Sequence, residues 1–210
     1  VVTPALAALN RTSDHVDDLV VAPDGTVYAT EYGTSPSVGY GPVRVSPGGA
    51  VAELVPRTVT ASCTGALEIW AMASHEHVAL DGAGDLLFTA TACGGSIGGT
   101  PRRVVLRRTS GGALDVLVDG PAFPTSATFA IEPTGAIVYT SSDGRLRRRA
   151  TTGVVTTIAG MGGSTTMSTG DFGPASAARL QAPQGVAILP GGRIAVGEDY
   201  GLVAGLRVIW

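Results

Sequence analysis

The sequence predicts an all-β fold made of repeated four-stranded antiparallel units. Three observations lead there. Short apolar runs alternate with Gly- and Pro-bearing turns along the whole chain. One pattern, an apolar strand, a Gly-marked turn and a second apolar strand, recurs over Leu19–Ala29, Val78–Phe88, Phe129–Tyr139 and Val186–Val196. Its turn glycines Gly25, Gly84, Gly135 and Gly192 lie 59, 51 and 57 residues apart, which is the mark of an internal repeat.

Taken in order, Val1–Ala7 has no strand before it and matches Val154–Ala159, the last strand of a later unit. The first full unit runs from Val16 to Val55, with outer strands Val43–Val45 and Val51–Val55 about the turn Ser46-Pro47-Gly48-Gly49. The second runs from His75 to Val118, its outer strands Arg103–Arg107 and Ala113–Leu117 joined by Ser110-Gly111-Gly112. Its Cys93–Thr100 segment is Gly-rich and is expected to be a mobile loop. The third runs from Ser126 to Ala159 and contains the strand Arg145–Arg149. The fourth spans Gly185 to Ile209 and lacks an outer strand, which Val1–Ala7 is placed to supply. Such pairing would protect an otherwise open edge. The expected core includes Val21, Val27, Ile131, Ile137, Ile188 and Ile194, each worth roughly 1.5–3 kcal/mol when buried.

Each copy resembles an NHL repeat: apolar strand, turn of the Pro-Asp-Gly kind, then a strand with an acidic end. Tyr28-Ala29-Thr30-Glu31 and Ala195-Val196-Gly197-Glu198 keep that end, while Ala90 and Ser141 replace it in the middle copies. Gly170–Ala175 followed by Ala182–Ala187 is similar to the linker between NHL blades. The resemblance covers nearly the whole chain except Ala61–Ser74, and it implies a β-propeller with four visible blades forming a single domain over residues 1–210. NHL propellers usually have about six blades. Two readings therefore stand: a propeller closed at four, or part of a larger one, the second favoured by the missing initiator Met and the mid-blade end.

Composition narrows the function classes. The apolar share of 44% against 15% charged residues excludes a disordered segment. A net charge of −3 and an absence of aromatics among the arginines argue against nucleic acid as partner. No apolar run is long enough to span a membrane. Cys63 and Cys93 are either free thiols or a disulfide; a bridge would fit an exported or cell-surface protein and would tether the irregular Ala61–Ser74 stretch. Asn10-Arg11-Thr12 fits a glycosylation sequon, meaningful only in a secreted eukaryotic setting; the all-Arg basic residues point instead to a GC-rich bacterial genome.

The candidate site is polar and early in the blades. Asp17 and Asp18 in the first unit align with Glu76 and His77 in the second, Ala127 and Thr128 in the third, and Gln184 and Gly185 in the fourth. In propellers the starts of inner strands surround the central channel. Asp17, Asp18, Glu76 and His77 can therefore be read as ligand- or partner-binding residues, or as ligands for Ca2+ or Zn2+. The alternative is that they cap strands and turns. Ser74 beside His75 makes no nucleophile pair, because adjacent residues of an extended chain point to opposite sides. Asp171 is expected to cap backbone N–H groups in its turn. The leading reading is a non-catalytic module recognising a protein, glycan or small molecule. The alternative is a metal-dependent hydrolase or lyase, of the lactonase or amidating-lyase kind that the resemblance implies. An architectural segment of a larger surface protein is a third.

Overall fold

The structure is a computed structural model, describing residues 15–32, 41–55, 63, 65–71, 76–119, 128–163, 167–199 and 204–210. The strand expected over Val1–Ala7, the sequon, His75 and most of the loop before Pro42 lie outside the described residues. The fold is all-β, with four antiparallel sheets of the β-propeller blade kind. The chain divides into two compact units, Val1–Gly120 and Pro121–Trp210, each contributing two sheets.

In the first unit, β1 (His15–Val21), β2 (Val27–Tyr32), β3 (Val43–Val45) and β4 (Val51–Glu53) form one sheet in chain order. The turn between β1 and β2 closes with the Gly25 N–H on the Ala22 carbonyl, and Gly25 sits at φ +83°, where only glycine is unstrained. The second sheet contains β5 (Glu68–Ala71), β6 (Val78–Leu80), β7 (Leu86–Gly94), β8 (Gly98–Arg108) and β9 (Leu114–Asp119). The long β7 pairs β6 over Leu86–Phe88 and β5 over Thr91–Cys93. One core joins the two sheets, built on Phe88, Leu106, Val104, Ile69 and Val55, with Val20 and Tyr28 packed against it.

Three expectations for this unit change, and the open alternative for the cysteines closes. Ala61–Ser74, outside the repeat, supplies a real strand, β5. Cys93–Thr100 is not a loose loop: β7 runs through Cys93, a 3-10 turn covers Gly95–Ile97, and β8 begins at Gly98. Cys63 and Cys93 are joined as a disulfide, with Cα atoms 5.1 Å apart, holding the chain before β5 against that hairpin. Val21 is 56% exposed rather than buried. In a strand, neighbours face opposite sides, and Val20 takes the core face.

In the second unit, β10 (Phe129–Ile131), β11 (Ile137–Ser141), β12 (Arg145–Arg149) and β13 (Val155–Ala159) form a complete four-stranded sheet. The last sheet has three strands, β14 (Pro183–Ile188), β15 (Ile194–Asp199) and β16 (Ala204–Ile209), in that order. Val138, Leu146, Leu180, Ile194 and Val196 form its core. Leu180 reaches that core from the linker, where a 3-10 turn over Ala175–Ala177 and a bridge between Thr169 and Arg179 fold the chain back.

Candidate functional site

The repeat register explains where the predicted site residues go. Asp18 lies seven residues before Gly25, on β1. Its Oδ2 accepts the Val78 N–H at 3.1 Å, so a side chain of one blade holds the inner strand of the next. Asp17 does the same one residue earlier, its Oδ2 accepting the Glu76 N–H at 3.3 Å. Thr30 completes the link by donating its hydroxyl to the Glu76 carbonyl at 3.3 Å. The second unit repeats the device with different chemistry. Thr128, seven residues before Gly135, accepts the Val186 N–H at 3.1 Å and donates to the Gln184 carbonyl at 2.7 Å.

The four candidate residues therefore do not converge. Asp18 pairs with His77 Nδ1, and both side chains are about 30% exposed. Glu76 is buried and faces Arg103 at 3.0 Å, with the Thr89 hydroxyl hydrogen-bonded to its other oxygen. Asp17 turns to backbone. Among the described residues, no three His, Cys, Asp or Glu side chains are grouped as a metal ion requires. Burial raises the Asp18 carboxyl, but the His77 hydrogen bond and the Val78 N–H outweigh it and hold it below the ordinary range. Asp18 is thus a carboxylate at neutral pH, as a backbone acceptor should be.

Several arginines of β8 and β12 pair with carboxylates of their own blades. Arg107 meets Asp115 at 2.6 Å, Arg148 meets Glu132 at 2.6 Å and Arg147 meets Asp143 at 2.7 Å. Burial raises the Asp143 carboxyl, yet Ser141, Arg145 and Arg147 together bring it down to about 2.

A second polar cluster lies in the second unit, around Glu198 and Asp171, which the sequence reading took for a strand end and a turn cap. Arg147 and Arg207 occupy equivalent positions, opposite Tyr139 and Val196 in their sheets. Each lays its guanidinium over the end of the second strand. Arg147 Nε donates to Ser141 Oγ at 3.2 Å, and Arg207 Nε donates to Glu198 at 3.0 Å. Glu198 is fully buried and also accepts the Gln181 N–H at 2.5 Å and the Ser168 hydroxyl at 3.1 Å. Asp171 does not cap its own turn. Its Oδ1 accepts from Arg207 Nη2 at 3.0 Å, and its side chain remains 66% exposed.

Around this cluster the surface is concave. A cavity of about 390 Å³ is lined by Ser168, Asp171, Gln181, Arg207 and the apolar Met167 and Leu206. Beside it, a groove of about 500 Å³ separates the turn Gly170–Ala175 from β16. Phe172, at φ +65° and fully exposed, stands on one wall, and Trp210, with Arg193 4.8 Å from its ring centroid, stands at one end. A non-glycine residue in the left-handed region costs on the order of 1 kcal/mol. The signal available in the sequence was the pair Glu198 and Arg207, set at the same repeat positions as Ser141 and Arg147.

No family model matches the chain, and no curated protein matches it. Solved structures do. It is similar to a protein provisionally called a gluconolactonase, with 17% identity and a TM-score of 0.55 over 93% of this chain and 60% of that one. It is similar to a catalytically inactive virginiamycin B lyase from Staphylococcus aureus bound to quinupristin, with 16% identity and a TM-score of 0.51 over 95% of this chain and 56% of that one. It is also similar to the extracellular domain of a two-component system from B. thetaiotaomicron, with 12% identity and a TM-score of 0.54 over 93% of this chain and 22% of that one. The chain thus spans less than two thirds of the length of these structures. At these identities the likeness is one of fold: the chain has the blade architecture of a β-propeller.

Proposed function

We propose that this chain is a non-catalytic recognition module built on an NHL-type propeller, exported or displayed at the cell surface, that binds its partner through exposed loops and blade edges. One observation carries the reading. The polar residues at the starts of the inner strands are consumed by interblade backbone hydrogen bonds and a buried Glu76–Arg103 pair. The exposed, concave, unspent surface is elsewhere, at the 170–175 turn and β16. Loops on a rigid scaffold are where recognition concentrates. The Cys63–Cys93 bridge supports an oxidising compartment. No helix among the described residues is long and apolar enough to cross a membrane.

The hydrolase or lyase reading depends on Asp17, Asp18, Glu76 and His77 acting together on Ca2+ or Zn2+. Calorimetric titration of the purified chain with both ions separates the two readings. A module gives no stoichiometric heat. One tight equivalent, lost in a Glu76→Gln/His77→Ala variant, would overturn the module reading and call for a screen of lactones and esters.

A further inference from the structure

The outer strand of the third sheet differs from those of the first two. In β4 and β9, the outer strands of the first-unit sheets, the one exposed residue is a carboxylate, Glu53 in β4 and Asp119 in β9. β13 exposes Val155, Thr156 and Thr157 in succession, and Val154 before them is 60% exposed. No residue from Val154 to Ala159 is charged. A charge on an edge strand keeps other strands away, and β13 lacks one.

The register shows which backbone groups this edge offers. β13 pairs with β12 through Arg149–Val155, Arg148–Thr156 and Arg147–Thr157, and the Val154 carbonyl accepts the Ala150 N–H. In an antiparallel ladder every second residue bonds to the partner strand, so Val154 and Thr156 face β12 while Val155 and Thr157 face outward. Among the described residues, no backbone group pairs with Val155 or Thr157 on that outer side. The open stretch is bounded at both ends. The hairpin turn closed by the Gly153 N–H on the Ala150 carbonyl precedes it. Beyond it, the Gly160 and Met161 N–H groups donate to the Ala175 and Ala178 carbonyls, and Ala159 and Gly160 are buried.

This edge complements itself. A second β13 laid antiparallel about a twofold axis at Thr156 sets Val155 opposite Thr157 of the second copy, and Thr157 opposite its Val155. Every outward N–H and C=O of both residues then finds a partner. Thr156 meets its own equivalent across the axis, and cross-strand Thr–Thr and β-branched pairs are favourable. Val154 of the second copy arrives opposite Ile158, where its hairpin turns away, short of the closed end at Ala159. A longer extended segment of another protein would run on into that closed end. Charge does not oppose the contact. On β12, Arg145 and Arg147 pair with Asp143, Arg148 pairs with Glu132, and Arg149 Nη1 donates to the Ala150 carbonyl. The two β12 backbones would lie three strand spacings apart, about 14 Å, beyond the screening length of about 8 Å at physiological salt.

We propose that β13 is the interface of a homodimer in which two third-blade sheets join edge to edge into one continuous sheet. The contact is short, so the dimer is a transient one, with a dissociation constant on the order of 10–100 μM. Dimerisation presents every other surface of the chain twice, which gives a weak recognition surface avidity. The inference does not depend on what the module recognises.

Sedimentation velocity on the intact chain, from about 1 μM to about 1 mM, tests it. A monomer–dimer equilibrium is expected, with hydrogen exchange at the Val155 and Thr157 amides slowing as concentration rises while that at Thr156, which faces β12, stays constant. Thr156→Lys sets like charges about 5 Å apart across the axis and should weaken the dimer about tenfold or more, as should Thr156→Glu. An equimolar mixture of the two variants should dimerise at least as well as wild type, because only a residue on the axis meets its own equivalent. Circular dichroism checks that both variants keep the fold. A wild type that stays monomeric to about 1 mM overturns the proposal. So does a dimer that both variants leave intact, or a mixture that associates no better than either variant alone. A monomer whose Val155 and Thr157 amides are slowed only by an added Val-Thr-Val-Thr-Val peptide would assign the edge to a foreign strand and overturn it as well.

Discussion

Thr128→Val tests whether the inner-strand polar positions hold blades together. The two side chains have nearly the same shape, so no cavity forms. What disappears is one hydroxyl that accepts from the Val186 N–H at 3.1 Å and donates to the Gln184 carbonyl at 2.7 Å. Two neutral hydrogen bonds contribute about 0.5–1.5 kcal/mol each, and a half-buried N–H left without an acceptor adds to the loss, giving about 2 kcal/mol. Among the described residues, the Thr128 N–H to the Gln184 carbonyl, at 3.3 Å, still ties the start of β10 to β14 by backbone. Urea denaturation reads the stability, and hydrogen exchange at the Val186 amide reads the bond itself. Thr128→Ser keeps the oxygen and should restore most of both. A Val variant within about 0.5 kcal/mol of wild type, with unchanged exchange at Val186, would refute the interblade role.

Other outcomes follow from the same structure. The Asp143 carboxyl is depressed from 3.8 to about 2 in the folded chain, so its stabilisation is complete above about pH 4 and is lost as pH falls towards 2. That shift corresponds to about 2 kcal/mol, so Asp143→Asn should be less stable than wild type at pH 7 and equal to it near pH 2, by thermal melts across that range. Reducing the bridge between Cys63 and Cys93, 30 residues apart, should cost about 3–4 kcal/mol if loop closure dominates, and a Cys63→Ser/Cys93→Ser variant should match the reduced protein by urea titration. Glu76→Ala should be severely destabilising, about 3–5 kcal/mol, because it strands the Arg103 guanidinium in a dry site; Glu76→Ala/Arg103→Met should recover much of that loss in the same assay.

The blade repeat was legible because its turns demand glycine. Gly25, Gly84, Gly135 and Gly192 all hold positive φ, and those four positions set the register of every inner hairpin. The strand β5 was not legible, because it belongs to no repeat. It exists because β7 grows to nine residues and offers Thr91–Cys93 as an extra edge, while the disulfide brings the chain before it alongside. Val21 was misplaced for a related reason. A run such as Leu19-Val20-Val21 does not say which face is inward, and the packing of Val20 decides it.

The register explains a task for two of the candidate residues: Asp17 and Asp18 accept backbone N–H groups of the next blade. Asp18 and Thr128 occupy one repeat position and perform one task with different side chains, a carboxylate in one unit and a hydroxyl in the other. A polar residue that recurs at a fixed repeat position is therefore evidence for architecture. The informative departures are those where a blade breaks its own pattern. Arg147 and Arg207 are equivalent, yet the first lies in a cluster with excess positive charge and the second in one with excess negative charge. Asp171 joins the second cluster through one oxygen, pairing with Arg207 while most of its side chain stands in solvent.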